Sequence, residues 1–191
     1  MREPAPKQGY FVGGGLRSGF LSVGSSEVED LESSFLGAGA TLRFGEYVRP
    51  WLGLGGVAHG FFAGNDGFQS AFGSFSMEGH VAPFQEVELT FRGSIGPFVQ
   101  SVTRNDDELT REDDPTLGFG AAITGGVSYG WFPFYDRSEN ESGGLELNVY
   151  LDGQALLSED FTSGGIFVGI EVHYFFGLSK DKLLLPLEDA F

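Results

Sequence analysis

The chain runs to 191 residues, a length for one domain, with 31 Gly, 20 Phe, no Cys and a formal net charge of −16. Without cysteine there is no disulfide scaffold and no thiolate metal site, and the acidic balance argues against a nucleic-acid partner. Abundant Phe with only 41% hydrophobic residues, and no apolar run of about 18, excludes a membrane-spanning helix and leaves a strand-built span open.

Met1-Arg2-Glu3-Pro4-Ala5-Pro6 carries no signal-peptide pattern and reads as a mature chain behind an added Met. Beyond it one rule holds: side chains alternate between two faces, as on a β-strand. Strand one, about Gln8–Val23, sets Tyr10, Val12, Leu16 and Phe20 against Gly13, Gly15, Arg17 and Gly19, and leaves Leu21 and Val23 on the second face. Strand two, about Ser34–Phe44, sets Leu36, Leu42 and Phe44 against Gly37, Gly39, Thr41 and Arg43. Strand three, about Pro50–Ala63, sets Leu52, Leu54 and Phe62 against Gly53, Gly55 and His59. Strand four, about Ala71–Val81, sets Phe75, Met77 and Val81 against Ser74, Ser76, Glu78 and His80. Strand five, about Glu86–Ser101, sets Leu89, Phe91 and Ile95 against Glu88, Thr90, Arg92 and Ser94.

Strand six, Leu117–Trp131, is the most regular. Its odd positions run Leu117, Phe119, Ala121, Ile123 to Tyr129 and Trp131, and its even positions are glycine, alanine or hydroxylated. At roughly 3.3 Å per residue and a tilt of about 40°, such a strand more than covers a bilayer. Strand seven, about Gly144–Leu157, sets Leu145, Leu147, Val149 and Leu151 against Glu146, Asn148, Tyr150, Asp152 and Gln154. Strand eight, about Gly165–Gly177, sets Ile166, Val168, Ile170, Val172, Tyr174 and Phe176 against Gly169, Glu171 and His173.

Alternate connections differ in character, as the two sides of a membrane require. Gly24–Ser33, Gly64–Ser70, Val102–Pro115 and Ser158–Ser163 form one, largely acidic, set; Gly45–Arg49, Ala82–Gln85 and the longer Phe132–Gly143 form the other. With the shorter turns on the periplasmic side, Tyr10, Tyr47, Trp51, Tyr129, Trp131, Tyr135 and Tyr174 fall at one rim, where amphipathic rings favour the headgroup level. The pattern predicts an all-β fold: a closed antiparallel up-and-down transmembrane β-barrel of eight strands over residues 8–177, with a periplasmic tail at 178–191. Leu147, Ile123, Val168 and Leu89 are expected to face lipid near mid-membrane. A soluble ligand-binding barrel is the alternative fold reading.

On these strands the chain resembles the small eight-stranded bacterial outer-membrane barrels of the OmpA and OmpX kind. The resemblance covers roughly residues 8–177 and rests on pattern rather than on a diagnostic motif. Ile166–Phe176 also looks like the last-strand signal read by the outer-membrane assembly machinery. The resemblance implies an outer-membrane location, with lipid, lipopolysaccharide and that machinery as partners.

The second face gathers Arg17, Arg43 and Arg92 with Glu78, Glu88, Glu146, Asp152 and Glu171. Lone charges in a confined, low-dielectric space are costly, so both signs together imply pairing. Arg92 is expected to pair with Glu88 and Glu78, and Arg17 to neighbour Glu171. A packed polar interior is one reading, and a narrow cation-preferring pore for ions or small solutes is the other. His59, His80 and His173 raise a lipid A-modifying enzyme as a third, but no Ser-His-acid spacing stands out. No cofactor and no metal site is expected: the acidic runs match no calcium-loop pattern, and Gly13-Gly14-Gly15 opens no helix. The tail, with Lys180, Lys182 and Leu183-Leu184-Leu185-Pro186-Leu187, reads as a strap under the barrel or as a docking peptide for an envelope protein. The functional expectation is a non-enzymatic outer-membrane barrel with a structural, adhesive or envelope-assembly role.

Overall fold

The computed structural model describes residues 7, 9–25, 32–65, 67–84, 88–104, 115–133, 144–159 and 161–176. Eight strands follow one another: β1 (Gly9–Ser25), β2 (Glu32–Arg49), β3 (Leu52–Gly64), β4 (Phe68–Val81), β5 (Leu89–Arg104), β6 (Thr116–Trp131), β7 (Gly144–Ser158) and β8 (Phe161–Phe175). Each pairs antiparallel with the next, and β1 closes on β8 with Phe11 opposite Phe175. The fold is therefore a closed up-and-down barrel, which leaves no sheet edge.

The strands run further than the sequence pattern suggests at the loop-bearing end. Gly64–Ser70 and Ser158–Ser163, expected as loops, are largely strand. Asn65 closes the first of these turns by accepting the Gly67 and Phe68 amides on its side-chain carbonyl, and Ser158 closes the second by accepting the Phe161 amide. Both are side chains suited to satisfying a turn's free N–H groups. The expected tail 178–191, Tyr135 and the acidic residues 105–114 lie outside the described residues.

Alternation then sorts the side chains. Tyr10, Leu16, Phe20, Leu42, Met77, Ile95, Phe119, Val149 and Ile170 all face out and are exposed. Along β1 this apolar face runs from Tyr10 to Phe20, ten steps of about 3.3 Å tilted near 40°, which gives about 25 Å, the height of a lipid-facing band. Ile123 and Val168 lie in the middle of their strands. Leu89 and Leu147, expected beside them, instead lie near the turn-bearing end: Leu89 opens β5, and Leu147 pairs with Trp131 at the end of β6. Pro97 faces outward in β5, and the β4–β5 ladder is interrupted opposite it, where proline has no N–H to give.

The inward face is close-packed by size complementarity. Gly15 lies opposite Glu171, and Gly126 opposite Asp152. A methyl group on either glycine would overlap the facing side chain, so the bare backbone is what lets a large acid lie flat across the neighbouring strand.

Candidate functional site

The site is the barrel interior, and it is built in layers. At the turn-bearing end Phe11, Tyr47 and Phe175 are buried together, with Phe132 packed against them. Tyr47 lies at the rim as expected, but its odd position in β2 turns it inward, off the headgroup belt, where its hydroxyl meets His80 Nδ1 at 3.2 Å. Tyr10, Trp51, Tyr129, Trp131 and Tyr174 are exposed, on or beside the strand ends at this same rim.

Just inside this lid sits Lys7, which enters ahead of β1. Its ammonium contacts Glu146 at 2.6 Å, Thr90 Oγ1 at 3.1 Å and Glu88 at 3.7 Å. Burial works against the ammonium, yet Glu146 and then Glu88 outweigh it and hold the group above the ordinary lysine range. Burial pushes the Glu88 carboxyl up to about 7, with Lys7 opposing that shift. His173 and Asn148 complete the cluster, Asn148 donating to Glu146 at 2.6 Å.

The middle layer is a belt of two arginines and three acids. Arg43 donates Nε to Glu78 at 2.9 Å, contacts Glu171, and lies 3.6 Å from Asp152. Arg92 grips Asp152 with two parallel bonds of 3.0 Å and reaches Glu171 at 3.0 Å. Thr41 donates to Glu171 at 2.6 Å, and the Tyr150 ring lies 4.2 Å under the Arg92 guanidinium. The geometry is the two-pronged kind in which arginine best offsets the cost of burying a carboxylate.

One expected pairing is corrected here. Arg92 pairs with Asp152 and Glu171 rather than with Glu88 and Glu78: residues four apart on a strand are separated by about 13 Å, and Glu78 is taken by Arg43. Arg17 does neighbour Glu171 across the β1–β8 seam, one inward step away, but its guanidinium turns elsewhere. Its Nη1 donates to His59 Nδ1 at 2.8 Å, its Nη2 to Gln154 Oε1 at 2.9 Å, and its plane covers Phe167 at 3.7 Å.

The loop-bearing end was not anticipated. Leu21, Val23, Phe35, Phe61, Phe72, Phe98, Leu156, Phe161 and Phe167 turn inward there and form an apolar core that fills the lumen. Phe61 and Phe167 meet edge to face at 4.8 Å. A polar stitch from Ser163 through Gln100 to Ser70, with bonds of 2.9 and 3.0 Å, ties β8, β5 and β4 together within it. Lys7, Thr41, Tyr150 and Gln154 were likewise not expected among the site residues. Phe11 lies against both His80 and His173, at 5.4 and 5.7 Å, and separates them. Among the described residues no cluster of histidine and acid side chains is arranged to hold a metal ion.

No protein-family model matches the chain, and no curated protein matches it by sequence. By structure it is similar to Ail, the attachment invasion locus protein of Yersinia pestis, with a TM-score of 0.59 at 10% identity over 87% of this chain and 99% of that one. The same protein bound to the heparin analogue sucrose octasulfate aligns with a TM-score of 0.56, at 10% identity over 87% and 99%. Neisserial surface protein A aligns with a TM-score of 0.52, at 10% identity over 85% and 96%. The chain therefore has the fold of the small eight-stranded outer-membrane barrels.

Proposed function

We propose that this barrel resides in a bacterial outer membrane as a non-enzymatic anchor with a structural, adhesive or envelope-assembly role, and that it does not conduct. The observation carrying this reading is the closure of the lumen at both ends. An apolar core fills the loop-bearing end, an aromatic lid with Lys7 beneath it fills the other, and the arginines and acids of the belt between are bonded to one another. A cation path needs carboxylates that face water, and here the acids of the belt are buried against arginine.

The histidines support the same reading. Chemistry on lipid A requires reactive groups at the outer leaflet, whereas His59, His80 and His173 are all buried inside the barrel. The outward face implies lipid and lipopolysaccharide as its surroundings, and Ile166–Phe176 supplies the alternating segment that an outer-membrane assembly machinery would read. The likeness to an attachment invasion locus protein, solved in complex with a heparin analogue, suggests surface attachment as the role. A polyanion is a poor ligand for this chain, since 102–115 carries six acids against Arg104 and Arg111.

Planar-bilayer recording of the refolded full chain tests the proposal. A silent bilayer is expected. Steady unitary steps would overturn it in favour of the narrow cation-preferring pore, and recovery of the protein outside the outer-membrane fraction of a Gram-negative host would remove the location.

A further inference from the structure

One sector of the lumen carries polar groups that the ion-pair network does not use. Arg17 starts on β1 and crosses the barrel, fastening to His59 on β3 and to Gln154 on β7. Its guanidinium thus forms a chord, and β4, β5 and β6 line the wall behind it. The inward positions on that wall are small: Ser74 and Ser76 on β4, Ser94 and Gly96 on β5, Ala122 and Thr124 on β6. Register sets them side by side. His59 is opposite Ser74, Ser94 opposite Thr124, and Thr124 opposite Gln154. Directly opposed residues bring their Cβ atoms to about 5 Å, so these groups border one shared space.

Glu78, opposite Ser94, marks the edge of this space and is taken up by Arg43 and His80. The other polar side chains bordering it are at least nine-tenths buried, and each has an atom without a protein partner: Arg17 Nε, His59 Nε2, Gln154 Nε2 and the hydroxyls of Ser74, Ser76, Ser94 and Thr124. Their chemistry is one-sided. An arginine can only donate, so His59 Nδ1 accepts from it, and a neutral imidazole then carries its proton on Nε2. Gln154 accepts from Arg17 through Oε1, which leaves its NH₂ as the free end. The nitrogens are therefore donors without acceptors, and the four hydroxyls can turn to donate as well. The belt carboxylates are engaged by Arg43, Arg92, Thr41, His80 and His173, and among the described residues none reaches Arg17 within ion-pair distance.

A buried guanidinium facing a shell of donors calls for an acceptor that takes several bonds at once. We propose that this sector is a binding site for a small monovalent inorganic anion of halide size, held by Arg17, His59 and Gln154 and walled by the hydroxyls of β4–β6. Apolar side chains above and the arginine–carboxylate belt below enclose it, so the ion enters as the barrel folds and afterwards exchanges slowly.

Bromide is the probe. The full chain is refolded from urea into detergent micelles in sodium bromide, crystallised, and measured at the bromine absorption edge. A single anomalous peak beside Arg17 Nε is expected in the wild type. Gln154→Glu puts a fixed carboxylate beside Arg17, and the peak should vanish while the strand pattern and heat-modifiable mobility persist. Thr124→Val, which keeps shape and removes one donor, should lower the bromide occupancy. Density without anomalous signal would make the occupant water and overturn the proposal. So would an adventitious ion only, on the outer surface, or a lumenal peak that survives Gln154→Glu.

Discussion

Arg92 and Asp152, 60 residues apart in sequence, meet over Gly126 of the strand between them through two bonds of 3.0 Å, Nε to Oδ1 and Nη2 to Oδ2. The pair links β5 to β7, which are not neighbours in the sheet, and so holds the cross-section of the barrel in a way that the strand ladder cannot. Arg92→Leu leaves Asp152 buried with a more distant Arg43 as its remaining arginine at 3.6 Å. A loss of about 3–5 kcal/mol is expected for the single replacement. Arg92→Leu combined with Asp152→Leu should cost clearly less than the sum of the two single losses, because no stranded charge remains. Urea titration in detergent measures all three, and strictly additive losses would show that the contact is not energetically coupled.

The outer face makes a depth-dependent prediction. Ile123 and Val168 lie at the middle of β6 and β8, while Leu147 lies near the turn-side rim beside Trp131. Arginine at Ile123 or Val168 should cost about 2–4 kcal/mol in a bilayer, and at Leu147 about 0–1 kcal/mol, because near the rim the side chain can reach the headgroups. Equal costs at the three positions, measured by folding into vesicles, would contradict the placement of the membrane across these strands.

How far this was legible depends on which half of the barrel is read. In the turn-side half, inside the aromatic lid, most inward positions are glycine, hydroxylated or charged, so period two stands out and the phase of Arg43, Glu78, Arg92 and Asp152 follows directly. In the loop-side half both faces are apolar. Phe61-Phe62, Leu156-Leu157 and Ile166-Phe167-Val168 place one large side chain inward and the next outward, and alternation disappears from the sequence although it persists in the structure. These doublets were the available signal for the apolar core. Partners within the belt were illegible for another reason. The partners sit on next-but-one strands, Arg92 and Asp152 on either side of Gly126 and Arg17 and Gln154 on either side of β8, and alternation tells which side chains point inward but not which of them reach over the strand between. Lys7 was overlooked because it precedes the first strand, where alternation says nothing.

The Lys7 cluster should give the barrel a measurable pH dependence. Glu88 lies outside the strands and faces Lys7 and Glu146, and burial raises its carboxyl from the usual 4.5 to about 7. A carboxyl whose folded pKa is raised stabilises the fold while it stays protonated. Its contribution is complete below the unfolded pKa and is lost as pH rises from there through about 7. Glu88→Gln holds the neutral form at every pH, so the urea midpoint of this variant should fall less than that of the wild type between about pH 4.5 and pH 7. Lys7→Met should enlarge the wild-type drop, since it removes the cation that favours the ionised form. Parallel profiles for wild type and Glu88→Gln would show that Glu88 does not govern this range.

Deleting Asp106–Asp113 tests whether the acidic connection matters to the barrel or only to what the barrel carries. The β5–β6 ladder is already closed by Val102 opposite Thr116, and Val102 packs into the apolar core below the connection. The strands therefore hold their register through pairing and core burial, and the deleted run, rich in acids and poor in apolar side chains, offers little surface to offset the entropy of ordering it. Loop closure grows only slowly dearer with length, so a shorter connection leaves the folded barrel at nearly the same stability. The deletion variant should refold with an unchanged heat-modifiable shift on gels and a urea midpoint close to that of the full chain. Loss of assembly would mean that the acidic run takes part in folding, and a surface role confined to that loop would then have to give way to a structural one.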